Sequence, residues 1–544
     1  MTRKFDSLRK DYLARKQAGT RLCKRGSKQV AKENTVALLN AVIRKGDRVC
    51  QEGNNQKQAD FLANALLHVD RRRVRDLHMV QSSIVLDAHT ELFRRGIARK
   101  LDFAYAGPQA RPLYDLVVAR KLQIGAIHTY LELYGRYFMD LVPRVSLVAA
   151  EACDKHGNLY TGHNTEDTPV ICEATRFKQG IVVAQVKKVM ARLPRVDIPG
   201  DWVDFTIATG KDPFIKPLFT RDPAKITDKQ VLMAMMALKG IYKPYAVRSL
   251  NHGVGYATAA VELILPTYGK RLGLKGKCCT HWALNPHPTL IPAIEAGFVE
   301  HVYSFGGEPG TDDYVRARSD IFAVGPDGNM RSNRCNAHVA GLYAVDMFVG
   351  ATLQIDRFGN SSTAVKGMIA GFGGAPNLGS TPPGRRNQTP ACRMAGREQD
   401  GLLQGRKLVV QITPTVSEKK GIPVFVNQLD AQQMHQDGLF SLPPVMIPGN
   451  QLTHIVTEQG IAYLDKCPDS VTRTQAVAAV AGNTELARTV NAGTRAKLRK
   501  AGIVRTPAEL GIDPKQANRA LLAARSLQDL VRISGGLYRI PPGL

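Results

Sequence analysis

The run Gly371-Phe372-Gly373-Gly374-Ala375-Pro376-Asn377 places three glycines within four positions. A backbone so free of Cβ atoms can turn with its N–H groups converging on one point, which is how an oxyanion or a phosphate is held. The same residues also suit a plain structural turn. Upstream, residues 354–362 read as a strand running into a polar turn that contains Asn360. Downstream come Arg385, Arg386, Arg393, Arg397, Arg406 and Lys407. Such a cluster attracts phosphate through charge and bidentate geometry, or it simply solvates a loop.

Further polar groups stand where α/β folds place their sites, at strand ends. Thr280-His281-Trp282-Ala283-Leu284-Asn285-Pro286-His287 follows a strand expected at 277–280 and offers His281 and Asn285. His281 and His287 have no carboxylate or cysteine at ligand spacing between them, so no metal site is expected. Cys278 and Cys279 read as packing. Glu52-Gly53-Asn54-Asn55 and Asn251-His252-Gly253-Val254-Gly255 are two sharp turns, each between a short strand and an apolar-periodic helix. The stretch 160–173, with Asn164, Glu166 and Asp167, reads as a helix cap or a surface turn. No GxGxxG with an acid beyond it and no GxxxxGK[ST] occurs, which removes the usual dinucleotide and triphosphate readings.

The elements that must carry these residues alternate. A helix begins at Asn34 and ends near Gly46, and a strand follows at 48–50. Apolar runs recur at 77–80, 101–105, 124–128, 145–149 and 181–186, with room for helices between them. That pattern predicts a mainly parallel sheet covered on both faces. Order weakens over 204–229, and then the strand, glycine turn and helix unit restarts at 246–265, with later strands at 301–304, 347–355, 407–412 and 454–457. The expected class is α/β: two tandem domains with mainly parallel sheets and basic helical extensions. The boundaries read as a basic arm at 1–33, an N-terminal domain at 34–229, a C-terminal domain at 230–468 and a helical appendage at 469–544.

Of 544 residues, 44% are hydrophobic and 22% charged, the balance of an ordinary globular chain. The net charge of +27 calls for an acidic partner. Aromatics at 6% and the lack of a recognised module speak against nucleic acid. Nine cysteines with no CxxC pair point to a reducing compartment. No membrane span and no secretory signal is read, so a cytoplasmic location is expected.

Longer strings then make the chain recognisable. Residues 46–49, DKHGNLYTG (154–162), GIVVAQV (180–186), GATLQIDRFGN (350–360) and the glycine turn at 371–374 resemble the class I coenzyme A transferases. Within that superfamily nearly the whole chain is similar to the malonate decarboxylase α subunits, through KRGSKQVAKENTVALLN, EGNNQKQADFLA, TEDTPVICEA, LPRVDIPGDWVDF, THWALNPHPTLIPAIEAGFVE and GFGGAPN. The resemblance implies an acyl carrier protein transferase that exchanges acetate for malonate on a carrier's thiol. That thiol belongs to a coenzyme-A-derived arm, 2′-(5″-phosphoribosyl)-3′-dephospho-CoA, and no cofactor is bound covalently to this chain. The implied partners are a small acidic carrier, whose encounter would be salt-dependent, and the subunits that decarboxylate malonyl-carrier. A coenzyme A transferase acting on free carboxylates and a citrate lyase α subunit are the nearest alternatives.

One departure bears on mechanism. Coenzyme A transferases carry a nucleophilic glutamate at a strand end beyond a Gly-x-Gly turn, and here no acid stands in that register after Gly253 and Gly255; Glu262 lies within the helix and Glu295 too far on. The expectation is that malonate's own carboxylate attacks the acetyl thioester. The expected catalytic residues are then Gly373 and Gly374 as oxyanion donors, with His281 and Asn285 orienting malonate. Gly253, Gly255, Gly371, Asn377, Arg385 and Arg386 would meet the thioester arm, and Glu52, Asn54, Asn55 and Asn360 would supply loop polarity near the substrate.

Overall fold

The computed structural model describes residues 4–53, 56–285, 287–386, 389–399, 401–417, 421–529, 532–533 and 537–538. Two eight-stranded sheets organise the chain. Numbering only their main strands, the first holds β1 (Arg48–Gln51), β2 (Leu77–Ile84), β3 (Ala98–Ala106), β4 (Gln123–Ile127), β5 (Val145–Cys153), β6 (Ile181–Val189) and β7 (Phe205–Ala208). Their spatial order is β4-β3-β2-β1-β5-β6-β7, all parallel, with Leu159–Tyr160 added antiparallel to β5. The second sheet holds β8 (Ser249–His252), β9 (His281–Leu284), β10 (His301–Ser304), β11 (Met347–Gly350), β12 (Leu408–Ile412), β13 (His454–Thr457), β14 (Gly460–Tyr463) and β15 (Val504–Arg505). Its order is β10-β9-β8-β11-β12-β13-β14-β15, parallel as far as β13 and antiparallel beyond. In both sheets the chain winds outward from the first strand and then returns to its other side. The order therefore reverses beside β1 and beside β8, the positions where open α/β sheets bind ligands.

A repeated clamp shows the two halves to be built alike. Asp154 Oδ1 accepts from the N–H groups of His156 and Asn158, and Asn158 Oδ1 accepts from Gly200 N–H. Asp356 does the same for Phe358 and Asn360, and Asn360 Oδ1 accepts from Gly449 N–H at 2.8 Å. The sequence carries this as DKHGN with IPGDW and DRFGN with IPGNQ.

Several expected boundaries change. The strand expected at 277–280 instead begins at His281, because Gly273, Gly276 and Cys279 all adopt positive φ and turn the chain repeatedly before it. The segment 204–229 opens with β7, an edge strand too short to show periodicity, and the second body begins with the helix Asp228–Ala237, capped by Thr227. The N-terminal stretch is no free arm. Tyr12 is buried, its hydroxyl donating to Asp204 at 2.7 Å, and Arg15 pairs with Asp11 and Asp47. Residues 28–30 extend the sheet edge through Val30 N–H to Thr206 O and Thr206 N–H to Lys28 O, both at 2.9 Å.

Nor are the described residues beyond 469 an appendage. β15 closes the second sheet, and Ala517, Ala520 and Leu521 of the helix Lys515–Asp529 enter its core. In the other direction, Ala364, Ile369, Met434 and Phe440 from the second half are buried in the first domain's core. Among the described residues no helix is long and apolar enough to cross a membrane.

Candidate active site

A cavity of about 590 Å³ lies between the two sheets, bounded by the C-terminal ends of β3, β8, β9 and β11. The glycine turn forms one wall and belongs to the second half of the chain, yet it is fastened to the first sheet. Ala106 N–H donates to Ala370 O at 2.7 Å, and the N–H groups of Phe372 and Gly373 both donate to Ala104 O at 2.7 and 2.9 Å. Tyr130 N–H closes the hook on Gly373 O at 3.0 Å. Gly371 and Gly373 have φ of +73° and +61°, and a Cβ at Gly371 would fall 2.5 Å from Ala104 O. Glycine is thus required at both by conformation, and at Gly371 by contact as well.

Against this wall stands His338, from the helix Arg334–Tyr343. Its ring stacks on Phe305, with centroids 4.8 Å apart, and meets Tyr130 edge-on at 5.2 Å. The Asn377 carboxamide nitrogen lies 3.2 Å from Nδ1. Burial, and then the charges of Arg334 and Lys407, hold the imidazole well below its ordinary range, so the ring is neutral.

The opposite wall comes from β8 and β9. Asn251 donates through Nδ2 to Ala283 O, while the Oδ1 atoms of Asn251 and Asn285 are buried with no partner among the described residues. Gly253 lets this turn approach β11, donating to Val349 O at 2.8 Å. Beneath it His252 bridges Tyr242 Oη at 2.7 Å and Glu262 at 2.9 Å. Glu262 also binds His287 at 3.0 Å and accepts from Thr289 Oγ1 at 2.6 Å. Burial would raise this carboxyl, but His287 and His252 outweigh it and hold Glu262 at about 2. Glu262 is therefore an ionised support under the cavity wall. Glu295 accepts from Tyr314 and Arg318 elsewhere. Among the described residues, no aspartate or glutamate lines the cavity, and Lys216 is its one lysine or arginine.

The structure thus brings Gly253, Asn285, Gly371, Gly373 and Gly374 together, with Asn377 supporting His338 from behind. It separates the others. His281 opens β9 at its far end, exposed, with its ring 6.3 Å from that of His301. Gly255 is extended backbone capping the helix Tyr256–Ile264. Arg385 lies at the N-terminal ends of the second sheet, its guanidinium buried 3.9 Å from Asp346, and Arg386 is exposed. Asn360 serves the repeated clamp. Glu52 is buried within the first domain against Lys57 at 3.1 Å and Ala149 N–H at 2.6 Å. Asn54 and Asn55 lie outside the described residues. One expected donor is also committed elsewhere, since the Gly373 N–H is held by Ala104 O. Tyr130, Lys216, Phe305 and His338 had no local sequence signal; only the i,i+4 spacing of Arg334 and His338 places two polar groups on one helix face.

The stretch read as a helix cap or a surface turn does precede a helix, with Asp167 at the N-cap of Thr168–Phe177, but it is buried as a clasp between the domains and not on the surface. Glu166 is fully buried and accepts from Arg334 at 2.9 Å, its N–H donates to Ser332 O at 2.9 Å, and Gly307 N–H donates to Asn164 Oδ1 at 2.7 Å. Partners from the other half of the chain make burial of these polar groups tolerable. Desolvation dominates at Glu166 and holds its carboxyl up at about 7, against 4.5 for an ordinary glutamate. The fold then binds this proton more tightly than the unfolded chain. Stability should fall as pH rises from about 4.5 to about 7, by roughly 3 kcal/mol, and level off above. Urea midpoints at pH 5 and pH 8 should show the drop, and Glu166→Gln should remove it.

Two mainly parallel α/β sheets meeting at a glycine-walled cleft define a coenzyme A transferase fold. An acyl-CoA transferase from Escherichia coli O157:H7 shares it with a TM-score of 0.54 at 15% identity, covering 81% of this chain and 89% of that one. At that identity the likeness shows the fold alone. The chain belongs to the malonate decarboxylase α-subunit family, matching "Malonate decarboxylase, alpha subunit, transporter" over residues 4–543. It is 56% identical to the acetyl-S-ACP:malonate ACP transferase of Malonomonas rubra, over 99% of this chain and 98% of that protein. The structure is similar, with a TM-score of 0.94 and 49% identity, to a chain of a Pseudomonas malonate decarboxylase hetero-tetramer solved with malonate, covering 100% of this chain and 99% of that one.

Proposed function

We propose that this chain is the transferase subunit of a malonate decarboxylase, exchanging acetyl for malonyl on the thiol of an acyl carrier protein. The observation that carries the chemistry is a cavity with a glycine wall and, among the described residues, no carboxylate in its lining. With no acid among the described lining residues, malonate supplies the nucleophile. Its carboxylate oxygen attacks the acetyl thioester carbon, the C–S bond breaks, and sulfur leaves as thiolate. The thiolate then attacks the malonyl carbonyl of the mixed anhydride and expels acetate, with no net proton change. A carboxylate is a weak nucleophile toward a thioester, so the rate must come from proximity and from stabilising the tetrahedral oxyanion.

In this reading the carrier is a small acidic protein bearing the coenzyme-A-derived arm. The Oδ1 atoms of Asn251 and Asn285 would accept from the arm's amide N–H groups, and Lys216 would hold malonate's second carboxylate. The decarboxylating subunits of the same complex would consume malonyl-carrier. The test is mass spectrometry of acetyl-carrier incubated with malonate and this subunit. Conversion to malonyl-carrier that depends on the subunit is expected, and an unchanged acetyl mass would sink the proposal. Lys216→Met should raise KM for malonate by about 10- to 100-fold with kcat little changed, the scale of one charged hydrogen bond, in steady-state exchange assays.

A further inference from the structure

We propose that His338 is a catalytic residue of this transfer, donating a hydrogen bond from Nε2–H to the thioester carbonyl oxygen as it becomes an oxyanion. The inference rests on the acyl-transfer reading above and adds a side chain to it. His338 lines the cavity, and its Nε2 is buried with no partner among the described residues. That nitrogen lies 3.1 Å from where a Cβ on Gly374 would sit, so imidazole and glycine turn face one small volume.

Asn377 fixes the tautomer. Its carboxamide nitrogen can only donate, so Nδ1 accepts and the ring proton resides on Nε2. Phe305 and Tyr130 fix the ring's direction. The surroundings favour a neutral ring: Arg334 and Lys407 are the charged groups acting on it, Tyr130 packs against it, and Phe305 and Gly374 bring no charge. A neutral imidazole keeps its one proton on Nε2 and serves as a polarising donor.

The need for such a donor is visible in the turn itself. Because the Gly373 N–H is committed to Ala104 O, the glycine turn supplies fewer donors than its composition suggests. The Nε2 proton is shared and never transferred. In the first half-reaction it faces the oxygen of the acetyl carbonyl while the C–S bond breaks, and in the second that of the malonyl carbonyl while acetate departs.

The test measures kcat and KM for acetyl-to-malonyl exchange on the carrier. His338→Leu should lower kcat by about 10²- to 10³-fold, the usual effect of removing one oxyanion donor, with KM for malonate little changed. His338→Gln, which keeps an amide donor near Nε2, should recover most of that loss. Asn377→Asp keeps the imidazole but draws its proton to Nδ1, turning Nε2 into an acceptor, and should lower kcat by about 10²-fold. Exchange by His338→Leu within about threefold of wild type overturns the assignment. If that variant does not fold, unchanged kcat in Asn377→Asp overturns it by itself. Wild-type protein that leaves acetyl-carrier unconverted would instead overturn the transfer reading on which this one rests.

Discussion

Gly374→Ala is expected to lower kcat for acyl exchange by about 10²- to 10³-fold while leaving most of the fold's stability in place. Gly374 has φ of −92°, an ordinary value, so alanine meets no backbone strain there. The obstacle is contact. A Cβ at this position would sit 2.0 Å from Cε1 of His338, whose ring is held between Phe305 and Tyr130. Either the ring or the turn must move, and both face the reacting carbonyl in the proposed mechanism. Displacements of about 1 Å at such a site carry losses of this order. Gly255→Ala is the matched control, since the nearest atom to its Cβ lies at 3.6 Å. Steady-state exchange rates for the two variants, with thermal melting alongside, separate a local effect from a folding defect. Equal rates for Gly374→Ala and Gly255→Ala would remove the turn from the chemistry.

Glu262→Gln should produce the largest loss of stability, about 3 to 5 kcal/mol, because it breaks a fully buried ionic cluster and leaves His252 and His287 without their shared carboxylate. The pH dependence follows from the direction of the shift. Glu262 is held at about 2 in the fold against an ordinary 4.5. Its contribution is complete above the unfolded value and is lost as pH falls from about 4.5 through about 2. Wild type should therefore lose roughly 3 kcal/mol across that window, and the variant should lose little of it. Denaturant midpoints at pH 5 and pH 2.5 check the sign. Because His252 lines the cavity, the variant should also exchange acyl groups more slowly where it remains folded.

Most of the architecture was legible in the sequence. Parallel strands buried on both faces leave near-continuous apolar runs, and the runs at 145–149, 181–186, 301–304 and 454–457 mark four strands of the sheets. What stayed hidden was short or lay at an edge, as with β7, β14 and β15, where few residues carry the pattern. The second-half strand misplaced at 277–280 matters most for the site. Once the strand is His281–Leu284, Asn285 stands at its end facing the cavity, and His281 moves to the opposite end.

The α/β class, the two-sheet plan and the glycine turn were written in the sequence, because these are local properties of residue type and spacing; the missing acid showed only against the resemblance to coenzyme A transferases. Which groups share a volume emerged from long-range packing. The turn at 371–374 reaches across to Ala104 and Tyr130, the stretch read as a helix cap or a surface turn is a buried clasp that also caps its helix, and His338 faces the turn through contacts with Phe305, Tyr130 and Asn377. The physical reason is that a buried polar group is settled by its partners, and here those partners lie far away in the chain. The large positive charge divides in the same way. Arg15 and Arg334 were spent on internal pairs, and only exposed residues such as Arg386 remain for an acidic partner.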